Sequence, residues 1–302
     1  MGKEMKLLLL SDIHMLYQNP VGRLDNLTEI QWNKLEFVLE YAKKRSLIVL
    51  AAGDIFDRPR SWQLLSAVIS VLKQYDLQIF CVMGQHDTYL YSEETRDRTN
   101  LGILAKVGLI KILNDQPVKL GNSNLYGCSF GAEVPVPKSD GFNILVIHAP
   151  ISDAPVYPGH EFTLAKDFLM VHDKYDLVLC GDIHRKFVEK VGGRVIMNVG
   201  PMLRKEATAY NFGHIPRFVV FDTETRREEW VDIPHMSAEE VLSRQHLEKQ
   251  EETSNRMDDF IALIKEDVEQ GVSFGENLRI FLKGNKIEAE VIDYLSTVME
   301  GI

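Results

Sequence analysis

Seven short apolar runs, rich in β-branched residues, recur through the first 222 residues, at 6–13, 47–52, 78–83, 142–147, 177–180, 194–199 and 217–221. Near-continuous apolar runs belong to strands covered on both faces, so this part of the chain is expected to fold as a layered α/β domain. Segments with apolar residues at helical spacing fit between the runs, at 32–43 and 62–72, with 93–107 a third helical candidate. The proline-bearing stretches 135–137 and 150–158 read as loops.

Beyond residue 222 the character changes. Residues 223–302 carry 19 acidic and 9 basic side chains, whereas residues 1–222 carry 25 of each. All the excess of acid therefore lies in the last quarter, and the front part is free to present a local basic surface. The expected organisation is a main domain over 1–222 and an acidic α+β appendage over 223–302. The appendage would hold a strand at 228–233, an amphipathic helix ending near 268, a strand at 278–282 and a helix at 287–299. The cysteines, Cys81, Cys128 and Cys180, sit in apolar runs with no C-x-x-C pair, which excludes a disulfide framework and a zinc knuckle and fits a reducing, cytoplasmic setting. The apolar stretch 7–10 is too short for a signal peptide core or a membrane span.

The chemistry lies where the runs end. Asp12 and His14 close the first run, and Asp54 and Asp57 the second, within Gly-Asp-Ile-Phe-Asp. Gln85, His86 and Asp87 close the third, after Gly84. His148 closes the fourth, and Asp182 and His184 the fifth, after Gly181. Ligand sites of open α/β sheets lie beyond the carboxyl ends of their strands, so five strand ends deliver carboxylate, imidazole and amide groups to one edge. A phosphate ester repels nucleophiles by its own charge. Two divalent metals about 3.5–4 Å apart offset that charge, and a carboxylate such as Asp54 would bridge them. Mixed Asp and His ligands suit manganese, iron or zinc.

Each residue taken alone has a plainer reading. Asp12 and Asp54 could cap turns or helices, Asp182 could form an Asx turn, and His148 could be a buried, satisfied histidine. Asp57 and Asp87 suit loop bracing better than ligation. Their coincidence at five strand ends favours the metal site.

The set Asp12-Ile-His14, Gly53-Asp54-Ile-Phe-Asp57, Gly84-Gln85-His86-Asp87, His148 and Gly181-Asp182-Ile-His184 resembles the calcineurin-like metallophosphoesterases, over residues 6–184. Within them the chain is most similar to the SbcD-type nuclease subunit of double-strand-break repair. The Gly-Asp-Ile-Phe-Asp-Arg wording, the spacing from Asp54 to Gln85, and Asn198-Val-Gly-Pro-Met-Leu-Arg204 carry that likeness. The resemblance implies a four-layer α/β/β/α sandwich holding two divalent ions, manganese foremost, with magnesium, iron or zinc as alternatives. One ion would take Asp12, His14, Asp54 and His184, and the other Asp54, Gln85, His148 and Asp182. His86 would assist the leaving oxygen, held by Asp87. DNA would be the substrate, an SMC-like coiled-coil ATPase the partner, and a homodimer the assembly, with no membrane involved.

The sequence departs from the family pattern twice, with Gln85 in place of Asn and Asp182 in place of His, both on the second metal. Gln reaches about 1.5 Å further than Asn, and a carboxylate in place of an imidazole favours harder ions. Arg58, Arg60, Arg185, Lys186 and Arg204 are candidate phosphate contacts. The leading expectation is a metal-dependent DNA exonuclease or endonuclease. The alternatives are a phosphodiesterase or phosphatase for a small nucleotide or phosphoprotein, and a partly degenerate scaffold that binds an ATPase.

Overall fold

The computed structural model describes residues 5–245 apart from 91, 115, 139 and 156–160. In chain order the elements are β1 (Lys6–Leu10), α1 (Leu27–Arg45), β2 (Ile48–Ala51), α2 (Trp62–Tyr75), β3 (Ile79–Cys81), α3 (Asn100–Lys106), β4 (Lys111–Ile112), β5 (Val118–Leu120), β6 (Ser123–Cys128) and β7 (Phe142–His148). They continue with β8 (Ile151–Ser152), β9 (Thr163–Leu164), α4 (Ala165–Val171), β10 (Leu177–Gly181), β11 (Phe187–Val191), β12 (Arg194–Asn198), α5 (Ala209–Gly213), β13 (Arg217–Asp222), β14 (Glu228–Asp232) and α6 (Ala238–Val241).

Two six-stranded sheets face each other, in the orders β14-β13-β1-β2-β3-β4 and β11-β12-β10-β7-β6-β5. Strand β1 shows why its run is apolar without interruption. Leu7 and Leu9 point between the sheets, with Leu50, Phe80, Ile144, Val146, Leu177 and Leu179. Leu8 and Leu10 point the other way, into a second core beneath α1, α2 and α3. A third core fills the space between the outer face of the second sheet and α4, around Leu145, Phe168, Leu169 and Val178. The layers are thus helices, sheet, sheet and helix, and both faces of the central strands are covered.

The 93–107 segment is interrupted. A 3-10 helix over Glu93–Arg98 gives way to α3 because the Thr99 hydroxyl accepts from Gly102 N at 3.1 Å and caps a new start. Strand β6 is buried throughout although it carries Ser123 and Asn124. The Asn124 amide donates to Asn143 Oδ1 at 2.9 Å in the neighbouring β7, so its polar groups are paired inside the sheet.

The composition break after residue 222 falls at the turn between β13 and β14. Antiparallel pairing from Arg217↔Asp232 to Phe221↔Glu228 carries the chain back onto the first sheet. α6 then packs with Ala207, so the compact unit runs to Ser243. The expected helices and strand beyond 245 lie outside the described residues. Cys81, Cys128 and Cys180 are all buried. Among the described residues no helix is long and apolar enough to cross a membrane.

Candidate metal centre

The five strand ends do converge, but from two sheets rather than one edge. The ends of the parallel neighbours β1, β2 and β3 supply Asp12, His14, Asp54 and Gln85, and the ends of the parallel pair β7 and β10 supply His148, Asp182 and His184. The backbone is bent hard to deliver them. Asp12, His14, Asp54 and Asp182 all take positive φ, at 47°, 50°, 47° and 96°. Such conformations are uncommon for residues with a side chain and gather at functional sites. A Cβ at Gly84 would overlap Asp54 Oδ1, so only glycine lets the third strand end approach the second.

Among the described residues three overlapping groups could each hold a cation: Asp12, His14 and His184; His14, Asp54 and His86; and Asp12, Asp54 and His148, with ligand atoms in each group within 4.8 Å of one another. His14 Nε2 lies 2.9 Å from His184 Nε2 and 3.7 Å from Asp54 Oδ2. His148 Nε2 lies 3.4 Å from Asp54 Oδ2, 2.6 Å from Gln85 Oε1 and 3.8 Å from Asp182 Oδ1. Asp182 N donates to Asp12 Oδ1 at 3.0 Å, and His86 N to Asp54 Oδ1 at 2.9 Å.

The same atoms fail to satisfy each other. Among the described residues, Asp12 Oδ2, His14 Nδ1 and Asp54 Oδ2 are buried side-chain atoms without a hydrogen-bond partner, joined only by Asn100 Nδ2. Two fully buried carboxylates each keep an oxygen with lone pairs that no donor takes, among imidazoles that can share a cation with them. Burial pushes the Asp12 carboxyl up, although His184 and His148 pull it down. Burial, then the Lys205 ammonium, holds His14 well below the ordinary imidazole range and leaves it neutral. Oxygen and imidazole donors without thiolate suit first-row divalent ions. The residues therefore fit bound divalent ions, with Asp12, His14, Asp54, His86, His148 and His184 in the groups that could hold one.

Supporting contacts orient these donors. His148 Nδ1 pairs with Ala52 O at 2.6 Å, which leaves Nε2 facing the cluster. Asn198 accepts from Ser11 Oγ at 3.1 Å and Gly200 N at 2.8 Å, and donates to Ile183 O at 2.6 Å, tying the end of β1 to the loop that carries His184.

His86 is exposed at the mouth of the cluster, its ring edge-on to His14 with centroids 4.9 Å apart. It is not held by Asp87, as the resemblance implied. Its Nδ1 meets Asp57 O at 2.9 Å. The Asp87 carboxylate is fully buried and accepts from Phe56 N at 3.0 Å, Gly84 N at 3.1 Å and Ile55 N at 3.3 Å, so it clamps the loops after β2 and β3 instead. Asp57 Oδ1 is paired to the Lys205 ammonium and lies 3.6 Å from His14 Nδ1.

The basic residues divide. Arg58, Arg60 and Lys186 are exposed. Arg185 is partly exposed, 3.8 Å from Asp153. Arg204 is turned inward, 5% exposed, with its guanidinium donating to Met236 O, so it offers nothing to a substrate at the surface. Lys205, its neighbour in sequence, is the one that reaches the site. The Ala52 and Asp57 carbonyls carry no sequence signal, since any residue supplies a carbonyl.

A two-sheet sandwich with strand-end carboxylates and imidazoles gathered around two buried acids has the make-up of a metal-binding protein. The family model described as calcineurin-like phosphoesterase matches residues 5–186, and the chain belongs to that family. No curated protein matches the chain in sequence. Among solved structures, the TT1561 protein of Thermus thermophilus is similar in fold, with a TM-score of 0.50 and 12% identity, over 77% of this chain and 100% of that one. An archaeal phosphodiesterase shares 14% identity with a TM-score of 0.42, over 76% of this chain and 99% of that one. A putative 5'-nucleotidase from Staphylococcus aureus shares 14% identity with a TM-score of 0.46, over 83% of this chain and 58% of that one.

Proposed function

We propose that this chain hydrolyses phosphodiesters of DNA with a pair of divalent ions, manganese foremost. The observation that carries the reading is His86, exposed beside the cluster with Nδ1 fixed on the Asp57 carbonyl. A carbonyl oxygen only accepts, so Nδ1 carries a proton and Nε2 is the ring nitrogen left to take up and deliver a second one. That group can protonate a departing sugar oxygen, which is a poor leaving group without a proton. A bound metal pair would supply charge neutralisation at the phosphate and Lewis acidity toward the attacking water.

The chain's own residues set the rest. Asp12, His14, Asp54 and His184 would hold one ion, and Gln85, His148 and Asp182, together with Asp54, would hold the other. The Asp87 clamp fixes the loop that carries Gln85 and His86 relative to Asp54. Arg58, Arg60, Arg185 and Lys186 lie near this mouth in sequence, following Asp54 and His184, and offer cations to a polyanionic strand.

The test compares manganese-dependent turnover of linear DNA and of an aryl phosphodiester by the wild type, Asp54→Ala and His86→Ala. Loss of both activities in Asp54→Ala, and in His86→Ala a larger loss on DNA than on the ester with its good leaving group, is the expected result. No metal-dependent turnover of either substrate by the wild type would overturn the reading, and turnover of the ester without DNA would replace DNA with a small substrate.

A further inference from the structure

Beside the cluster lies a groove of about 650 Å³ that the metal chemistry does not use. It is lined by the loop after β1 and by the segment from Asp57 into the start of α2, together with Lys205 and Glu206. Its size is that of a small-ligand cleft, about 300–1,000 Å³. Asp57 belongs both to this groove and to the centre, where its carbonyl holds His86 and its carboxylate faces His14, so the groove opens directly onto the catalytic mouth.

Its lining is unusual for open surface. Tyr17 is 57% exposed and Trp62 67% exposed, two large aromatic rings on the walls of one cleft. Apolar rings presented to water in a concave site mark a binding surface more than a packing accident. The charged residues on the same walls favour an anion. Lys205 and Asp57 neutralise each other, which leaves Arg58 and Arg60 against Glu206. Flat aromatic faces with adjacent guanidinium groups fit a chain of planar bases joined by phosphates. Bases within a duplex are stacked on one another and cannot offer their faces to a side chain, whereas unpaired bases can.

We infer that this groove takes the unpaired bases of single-stranded DNA next to the scissile phosphate, stacked on Tyr17 and Trp62, with Arg58 and Arg60 on the adjoining phosphates. The inference rests on the DNA reading above and adds that the strand enters unpaired along this side. The substrate would be a single-stranded end or overhang, and a blunt duplex would have to fray before it could bind.

Two measurements on the full chain test it. The first is binding without turnover, by fluorescence anisotropy of a labelled single-stranded oligonucleotide in EDTA, for the wild type, Tyr17→Ala, Trp62→Ala and Trp62→Phe. Loss of one stacking partner is expected to weaken binding about five- to a hundredfold, with Trp62→Phe recovering most of it. Unchanged binding in both alanine variants overturns the inference. So does a duplex bound as tightly as the single strand, or a mononucleotide bound as tightly as the oligonucleotide, the latter assigning the groove to a small nucleotide. The second is manganese-dependent hydrolysis, where the loss in Trp62→Ala on single-stranded DNA should exceed its loss on the aryl ester by at least tenfold. Equal losses on both substrates count against a strand-binding role. A wild type that binds the single strand through Tyr17 and Trp62 yet hydrolyses nothing would sink the catalytic reading and leave the groove assignment standing.

Discussion

Gln85 Nε2 donates a 2.6 Å hydrogen bond to Asp182 Oδ1, joining the ends of β3 and β10. These are the two positions where the chain departs from the family pattern, and they depart toward each other. The longer amide spans to the shorter carboxylate, and its oxygen still meets His148 Nε2. Gln85→Asn and Asp182→His should each lower metal content and affinity at the second position, while the double variant recovers most of the loss. Residues in direct contact couple by about 0.5–3 kcal/mol, and calorimetric titration of manganese into the four proteins reads that term. Additive losses would show that the pair was not selected together.

Metal uptake should release protons. Burial opposes charge on His148, but the nearby Asp54 and Asp12 carboxylates outweigh it and lift the imidazolium to about 10. Nδ1 is committed to Ala52 O, so the added proton sits on Nε2, the atom a metal needs. Affinity should therefore climb with pH up to about 10, with protons released on binding. Titrations in buffers of different ionisation heat give the count, and zero protons near neutrality would contradict the assignment. The sign for stability is the reverse. A pKa raised above the unfolded value of about 6.5 stabilises the metal-free protein fully below that pH, and the contribution is lost as pH rises toward 10.

Asp87→Ala should act through the loops and not through proton transfer. It removes the acceptor for Ile55, Phe56 and Gly84 N–H groups in a buried place, at a cost of roughly 2–4 kcal/mol. A lower melting temperature and weaker metal binding are expected, with turnover recovering when manganese is raised. Unchanged stability with lost turnover would mean that Asp87 takes part in the chemistry after all.

Lys34 offers a gain instead of a loss. It is buried in α1 with Pro234 O, at 3.2 Å, as the hydrogen-bond acceptor of its ammonium. Burial, then Arg204 and Arg23, pull its pKa down to about 7. A depressed lysine means that the unfolded chain holds the proton more tightly, so wild-type stability rises between pH 7 and about 10.5. Lys34→Met should stabilise the protein near neutrality by about 1–4 kcal/mol and flatten that rise. Denaturant midpoints at pH 7 and 10 check both; a destabilised variant would show that the ammonium is needed for packing or charge.

The convergence of carboxylates and imidazoles was legible because strand ends are marked by the apolar runs that precede them. Asp12, His14, Asp54, His148 and His184 all announced themselves in this way. What holds His86 was not legible, since a backbone carbonyl leaves no trace in sequence and Asp87 sat closer along the chain. Nor could spacing tell the outward Arg58 from the inward Arg204, because direction depends on packing against Met236 and its neighbours. Strand β6 was missed since its polar residues are paired only after Asn143 arrives in β7. The layered α/β class could be read from runs such as β1, whose alternate leucines feed two different cores.

His14 and His184 touch across 170 residues of chain. A ribosome adding about 5–20 residues per second needs roughly ten seconds or more to make that span. During that interval the first sheet's bent strand ends, with their clustered acids, have no opposing half. The second sheet delivers His148, Asp182 and His184 late, and β13 must still arrive to pair with β1. The centre therefore forms only once both halves of the sandwich have been made and have closed on each other.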